Sequence, residues 1–333
     1  METLYVLEPG SYMRVQGEGL RIEKEGNLIE EIPAARLKRL TLIGRCSMTG
    51  AVLDFLIDRK IDTVFMSLTG RFRAHLLLDA PGHVALRQLQ YARLGDDAFK
   101  LKTASMIVAG KIANQRDLLL KRAYRQRLAE VRRIAVQLRA LEKRASRAKD
   151  LEELRGIEGG AARAFYAGFG MLIKNGDFHF GGRNKRPPRD PVNALLSFVY
   201  TMFTNEVLNA INASGLDPYL GALHEPAHGR PSLACDLVEE WRATAEAFVL
   251  TLLNKRMVGP EDFVETGKRQ RPIEMAPRFV RALIKGYEKK MSQRVPFQGE
   301  ELELRWVIYR RIRQFIEHLR QPSTSWRPWR LES

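Results

Sequence analysis

The sequence predicts an α+β chain, with a small β-rich domain over residues 1–82 and a large all-α domain over residues 83–333. Short β-rich runs broken by turn residues fill the first eighty positions. A helical period takes over after Pro81-Gly82, and no sustained repeat interrupts either part.

The runs TLYVLE, YMRVQG, LRIEKE, LKRLTLIG, DTVFMS and RFRAHLLL read as strands, punctuated by Pro9-Gly10, Gly17, Gly19, Gly26-Asn27 and Thr69-Gly70. One helix, roughly Met48 to Lys60, interrupts them. Beyond Gly82, apolar residues at three- and four-residue spacing predict helices near 83–94, 96–125, 127–148, 150–173, 191–214, 231–256, 274–291 and 300–320. The tail STSWRPWRLES, Ser323 to Ser333, sets Trp326 and Trp329 beside arginines and is either disordered, the reading favoured, or a partner contact.

The 333 residues are 45% hydrophobic and 28% charged, a balance that suits a globular protein with a large core. No run of about eighteen uncharged apolar residues is present, and METLYVLEPGSYMR has no basic segment followed by an apolar one, so neither a membrane span nor a secretory leader is expected. Cys46 and Cys235 lack a metal-binding spacing and do not suggest a disulfide framework, which fits a cytoplasmic location. The net charge of +16 is unevenly placed: residues 1–84 hold 11 basic and 11 acidic residues, so the whole excess lies in 85–333. Concentrated positive charge points to a polyanion, with nucleic acid the leading candidate and a membrane surface disfavoured. From Lys121 to Lys149 eleven basic residues, Arg132, Arg133 and Arg139 among them, stand against only Glu130 and Glu142, and RNKRPPR (Arg183 to Arg189) adds a basic loop. Each is a solvated face or a phosphate contact.

LHEPAHGRPSLACDLVEEWR, Leu223 to Arg242, contains H-E-x-x-H from His224 to His228, the zinc-protease pattern. That chemistry needs one continuous helix, which Pro226, Gly229 and Pro231 prevent. The better reading begins a helix at Pro231 or Ser232, with Leu233, Leu237, Trp241, Phe248 and Leu252 as its core stripe. Asp236, Glu239 and Glu240 then lie off the stripe on the helix surface, where like charges repel unless a cation sits among them. His224 precedes the helix and could fold back over it. In LEELRGIEGGAARAFYAGFG, Leu151 to Gly170, Glu158 precedes Gly159 and Gly160 in a helical pattern. Helical glycines are unfavourable, so a ligand or another backbone could pack closely there, or two helices could pack tightly with Glu158 held by Arg155 or Arg163.

GIEGGAARAFY, then RDPVNALLSFVYTMF (Arg189 to Phe203), then LHEPAHGRPSLACDLVEEWR, in that order, resemble the signature segments of the CRISPR-associated integrase that acquires spacers, the universal endonuclease subunit of CRISPR adaptation. The resemblance covers essentially the whole chain. It implies that Glu158, His224 and Glu239 bind a divalent metal, with Asp236 as a supporting carboxylate of the catalytic site. Glu239 is a longer variant of what is often an aspartate, and no role falls on Glu225 or His228. Two carboxylates and one imidazole suit Mn²⁺ or Mg²⁺. The implied reaction is attack of DNA 3′-hydroxyls on the boundaries of a CRISPR repeat, with cleavage of branched DNA also accessible. The implied partners are double-stranded prespacer and repeat DNA, a second copy of the chain joined through the β-rich domain, and a small ferredoxin-like CRISPR-associated protein. Arg132, Arg133, Arg139, Arg163, Arg183, Lys185, Arg186 and Arg189 are the candidate DNA contacts. The alternative is a non-catalytic DNA-binding scaffold of the same fold.

Overall fold

The computed structural model describes residues 3–67, 72–76, 83–126, 128–184, 187–323 and 326–330. The chain divides into two compact units, Met1–Pro81 and Gly82–Ser333.

The first unit holds β1 (Thr3–Val6), β2 (Ser11–Gln16), β3 (Gly19–Lys24), β4 (Asn27–Pro33), β5 (Arg39–Ile43), β6 (Cys46–Met48), α1 (Gly50–Asp58), β7 (Asp62–Met66) and β8 (Phe72–Leu76). They form two four-stranded sheets, β1-β5-β7-β8 and β4-β3-β2-β6. In the first, β1, β5 and β7 run parallel and β8 antiparallel; in the second, β6 pairs parallel with β2. Alternation along the strands buries Leu4, Val6, Met13, Leu20, Ile22, Leu40 and Leu42 in one core with Val52 and Leu56 of α1. β4 and β6 were not foreseen: β4 is acidic and mostly exposed, and β6 has only three residues.

The second unit is mostly helical: α2 (Val84–Gly95), α3 (Asp97–Gln126), α4 (Ala129–Ala145), α5 (Leu151–Met171), α6 (Pro191–Ala213), α7 (Ser232–Leu237), α8 (Arg242–Asn254), α9 (Pro277–Met291) and α10 (Leu304–Arg320). Two short hairpins depart from the all-α expectation, β9 (Phe263–Lys268) with β10 (Arg271–Met275) and β11 (Arg294–Phe297) with β12 (Glu300–Glu303). They replace the predicted starts of α9 and α10. α6 lies at the centre of this unit, buried along nearly its whole length and packed on α8 and α10. Asp190 caps it by accepting from Asn193 N–H at 2.8 Å, and Pro191 occupies its first turn, where no intrahelical donor is needed. Asp150 caps α5 in the same way, through Glu153 N–H.

The predicted helix 231–256 is two α-helices joined by a 3₁₀ turn, Val238–Trp241. The tail is also ordered where it is described: Trp326 is buried against Phe315 and His318, and Trp329 stacks on Trp241. Its apolar rings override its lack of helical period. No helix among the described residues is long and apolar enough to cross a membrane.

Candidate metal and nucleic-acid site

α3 carries Lys111 inside an otherwise apolar stretch, and the side chain is buried. A buried ammonium is costly unless paired. Here it is paired twice, with Glu158 Oε1 from α5 and with Glu239 Oε2 from the 3₁₀ turn at 2.5 Å. The other oxygen of Glu239 accepts from Arg242 Nη2 at 2.9 Å and Nε at 3.1 Å. Burial alone would raise the Glu239 carboxyl. Arg242 and Lys111 overcome it, with a small contribution from His224, and hold the group far below the usual carboxylate range. Burial would likewise lower Lys111, but Glu239 and Glu158 raise it instead.

Asp236 forms a second constellation beside the first. It is fully buried, and accepts backbone N–H groups from Ala222 at 2.5 Å, Leu223 at 2.9 Å and His224 at 3.0 Å. It also meets His224 Nδ1 at 2.7 Å. With Nδ1–H donated to this carboxylate, the imidazole keeps Nε2 for a ligand. Gly221 makes the approach possible, since a Cβ there would stand 2.5 Å from Asp236 Oδ2. Asp236 thus orients His224 rather than facing solvent.

Asp236, Glu239 and Glu240 were expected on the helix surface, and all three are buried. The 3₁₀ turn accounts for part of this, and partners account for the rest: Glu240 pairs with Arg311 at 3.2 Å. The H-E-x-x-H segment contains no helix, and His228 and Glu225 are exposed. Glu225 bonds Arg155 at 2.7 Å, which ties the His224 loop to α5. Glu158 is therefore held by neither Arg155 nor Arg163 but by Lys111, which sequence reasoning missed along with Arg242. Nor, among the described residues, does a helix pack on the glycines: Gly156, Gly159 and Gly160 face open space beside Glu158.

The donor set fits a divalent cation. Two carboxylates converge on one positive centre, and the imidazole of His224 is fixed by Asp236, three residues before Glu239. Among the described residues no three His, Cys, Asp or Glu side chains already stand at ligating distance. Lys111 is the cation between the carboxylates.

Of the basic candidates, Arg132, Arg139, Arg163 and Arg189 are exposed, and Arg133 is exposed but paired with Glu130 at 2.9 Å. Arg183 instead turns inward, bonding Asn193 Oδ1 at 2.7 Å and Ser197 Oγ at 3.0 Å, so its guanidinium anchors the loop to α6. Lys185 and Arg186 lie outside the described residues.

The chain is 39% identical over 276 residues to the CRISPR-associated endonuclease Cas1 1 of Moorella thermoacetica, a match covering 80% of this chain and 79% of the relative. It is 34% identical over 324 residues to the CRISPR-associated endonuclease Cas1 3 of Thermus thermophilus, covering 95% and 93%. Its fold is similar to that of a CAS1 protein from Thermotoga maritima, with a TM-score of 0.84 at 24% identity over 96% of this chain and 97% of that one. The family model for CRISPR associated protein Cas1 matches residues 4–289, and on that match and these identities the chain belongs to the Cas1 family.

Proposed function

We propose that the protein is a metal-dependent DNA endonuclease and integrase that joins captured DNA to the ends of a CRISPR repeat. The meeting of Glu158 and Glu239, from α5 and the 3₁₀ turn, on one buried positive centre carries this reading. Relatives at 34–39% identity named as endonucleases support the nuclease activity.

Glu158, Glu239 and His224 Nε2 would hold the metal. A bound Mn²⁺ or Mg²⁺ supplies Lewis-acid charge to the scissile phosphodiester. In strand joining, a DNA 3′-hydroxyl attacks phosphorus and loses its proton, while the broken P–O bond leaves a new 3′-hydroxyl that gains one. With water in place of the attacking hydroxyl the result is a nick. Asp236 keeps the imidazole in one tautomer and orientation. Arg242 keeps Glu239 ionised. The glycine face beside Glu158 leaves room for a sugar-phosphate backbone, and the exposed arginines of α4 supply sequence-tolerant phosphate contacts. The strand-rich unit, charge-neutral within residues 1–84, is assigned the contact with a second copy and with a small ferredoxin-like CRISPR-associated partner.

The test is nicking and strand joining on branched DNA with Mn²⁺. Wild type is expected to be active, and Glu158→Ala and His224→Ala inactive. Activity surviving in both variants refutes the site assignment, and an inert wild type identifies a non-catalytic DNA-binding scaffold.

A further inference from the structure

The 3₁₀ turn that presents Glu239 is covered from behind by residues near the end of the chain. Arg311 Nη2 donates to Arg327 O at 2.8 Å, and Pro328 lies against Gly110 of α3. Trp329 stacks on Trp241 with ring centroids 4.8 Å apart and planes at 25°. The backbone N–H of Trp329 donates to Glu240 Oε2 at 2.8 Å. Asn114 Nδ2 ties the layers together, bonding Trp329 O at 2.8 Å and Glu240 O at 3.1 Å.

Both anchor points adjoin the site. Gly110 immediately precedes Lys111, and Glu240 and Trp241 immediately follow Glu239. The approach at Gly110 is as close as glycine alone allows, because a Cβ there would sit 2.3 Å from Pro328 Cβ. A 3₁₀ turn has poor internal hydrogen-bond geometry, so its pitch depends on what packs around it.

We propose that the segment Trp326–Arg330 is a strap that positions Glu239 and Lys111, and that the site takes up a divalent cation with full affinity only while the strap is docked. This rests on the reading of Glu239 as a metal ligand. The strap lies beyond residues 4–289 matched by the family model, so the family match does not itself describe it.

The test is Mn²⁺ binding to the full chain without DNA, followed by electron paramagnetic resonance of the free ion, with thermal midpoints recorded in parallel. Trp329→Ala is expected to weaken Mn²⁺ binding about tenfold, at the low end for residues that support a ligand, and Trp329→Phe to restore it to within about twofold of wild type. Gly110→Ala favours the α3 helix intrinsically yet evicts Pro328. It should therefore weaken Mn²⁺ about tenfold when measured well below its own thermal midpoint, where the chain is folded and damage to the fold is not what is read. Glu239→Gln should weaken binding at least as much. The strap is overturned if Trp329→Ala and Gly110→Ala bind Mn²⁺ within about twofold of wild type while Glu239→Gln does not. If Glu239→Gln also binds normally, the ligand reading of Glu239 falls, and the strap with it.

Discussion

Replacing Lys111 with methionine keeps an unbranched side chain, one atom shorter, and removes its charge, so Glu158 and Glu239 confront each other across a buried space. Taking away one member of a buried ion pair costs about 3–5 kcal/mol. Arg242 remains 2.9 Å from Glu239, and the Glu158 side chain is 31% exposed, which places the expected cost at the lower end, about 3 kcal/mol. In a unit spanning Gly82–Ser333 this corresponds to a melting temperature lower by about 6–12 °C. Mn²⁺ at a hundred times its dissociation constant returns about 2.7 kcal/mol. It should stabilise Lys111→Met more than wild type, where the ion must first displace an ammonium. Scanning fluorimetry at neutral pH, with and without Mn²⁺, measures both quantities. Two results refute the reasoning: a metal-free midpoint within about 2 °C of wild type, or equal Mn²⁺-induced shifts in the two proteins.

Asp236→Asn turns an amide toward three backbone donors and the His224 ring; urea unfolding should show a loss of about 2–4 kcal/mol, and Mn²⁺ titration a 10–100-fold weaker site. Burial pushes Glu246 up to about 7, despite hydrogen bonds from Tyr200 and Gln115. The folded chain therefore keeps that proton while the unfolded chain releases it near pH 4.5, and stability falls as pH rises between those values and then levels. Glu246→Gln removes the loss, so its stability relative to wild type should grow from pH 5 to pH 8 by about 3 kcal/mol in urea unfolding, and a constant difference would refute it. Arg132→Ala with Arg139→Ala should weaken DNA binding equally across sequences and reduce the slope of log affinity against log salt by about two, measured by fluorescence anisotropy. His228→Ala should leave branched-DNA nicking unchanged, because that exposed histidine only completes a misleading spelling.

The long helices were legible because α3, α4, α5 and α6 keep a 3.6-residue period over four turns or more. The hairpins β9-β10 and β11-β12 were not, because strands such as FVETGK and EELE are short, polar and largely exposed, with nothing to bury on alternate positions. Glu158, His224, Asp236 and Glu239 were singled out through the family resemblance that the ordered motifs carry, but the side chains that hold them were not. Lys111 looks like an ordinary helical lysine until its surroundings are known. A usable signal was nevertheless present: Lys111, Asn114 and Gln115 stand at helical spacing within the largely apolar run ASMIVAGKIANQ, and all three are buried. Polar residues sharing the inner face of a helix must each have a partner, which directs attention to whatever packs there.

The four residues Val238–Trp241 advance by about 120° each instead of about 100°, so by the end of the turn the chain has rotated roughly 80° beyond an uninterrupted α-helix. At Glu239, the second residue of the turn, the excess is roughly 40°, so straightening 232–254 into one regular rod would turn that carboxylate away from Lys111 and α5. The local irregularity is what aims the carboxylate.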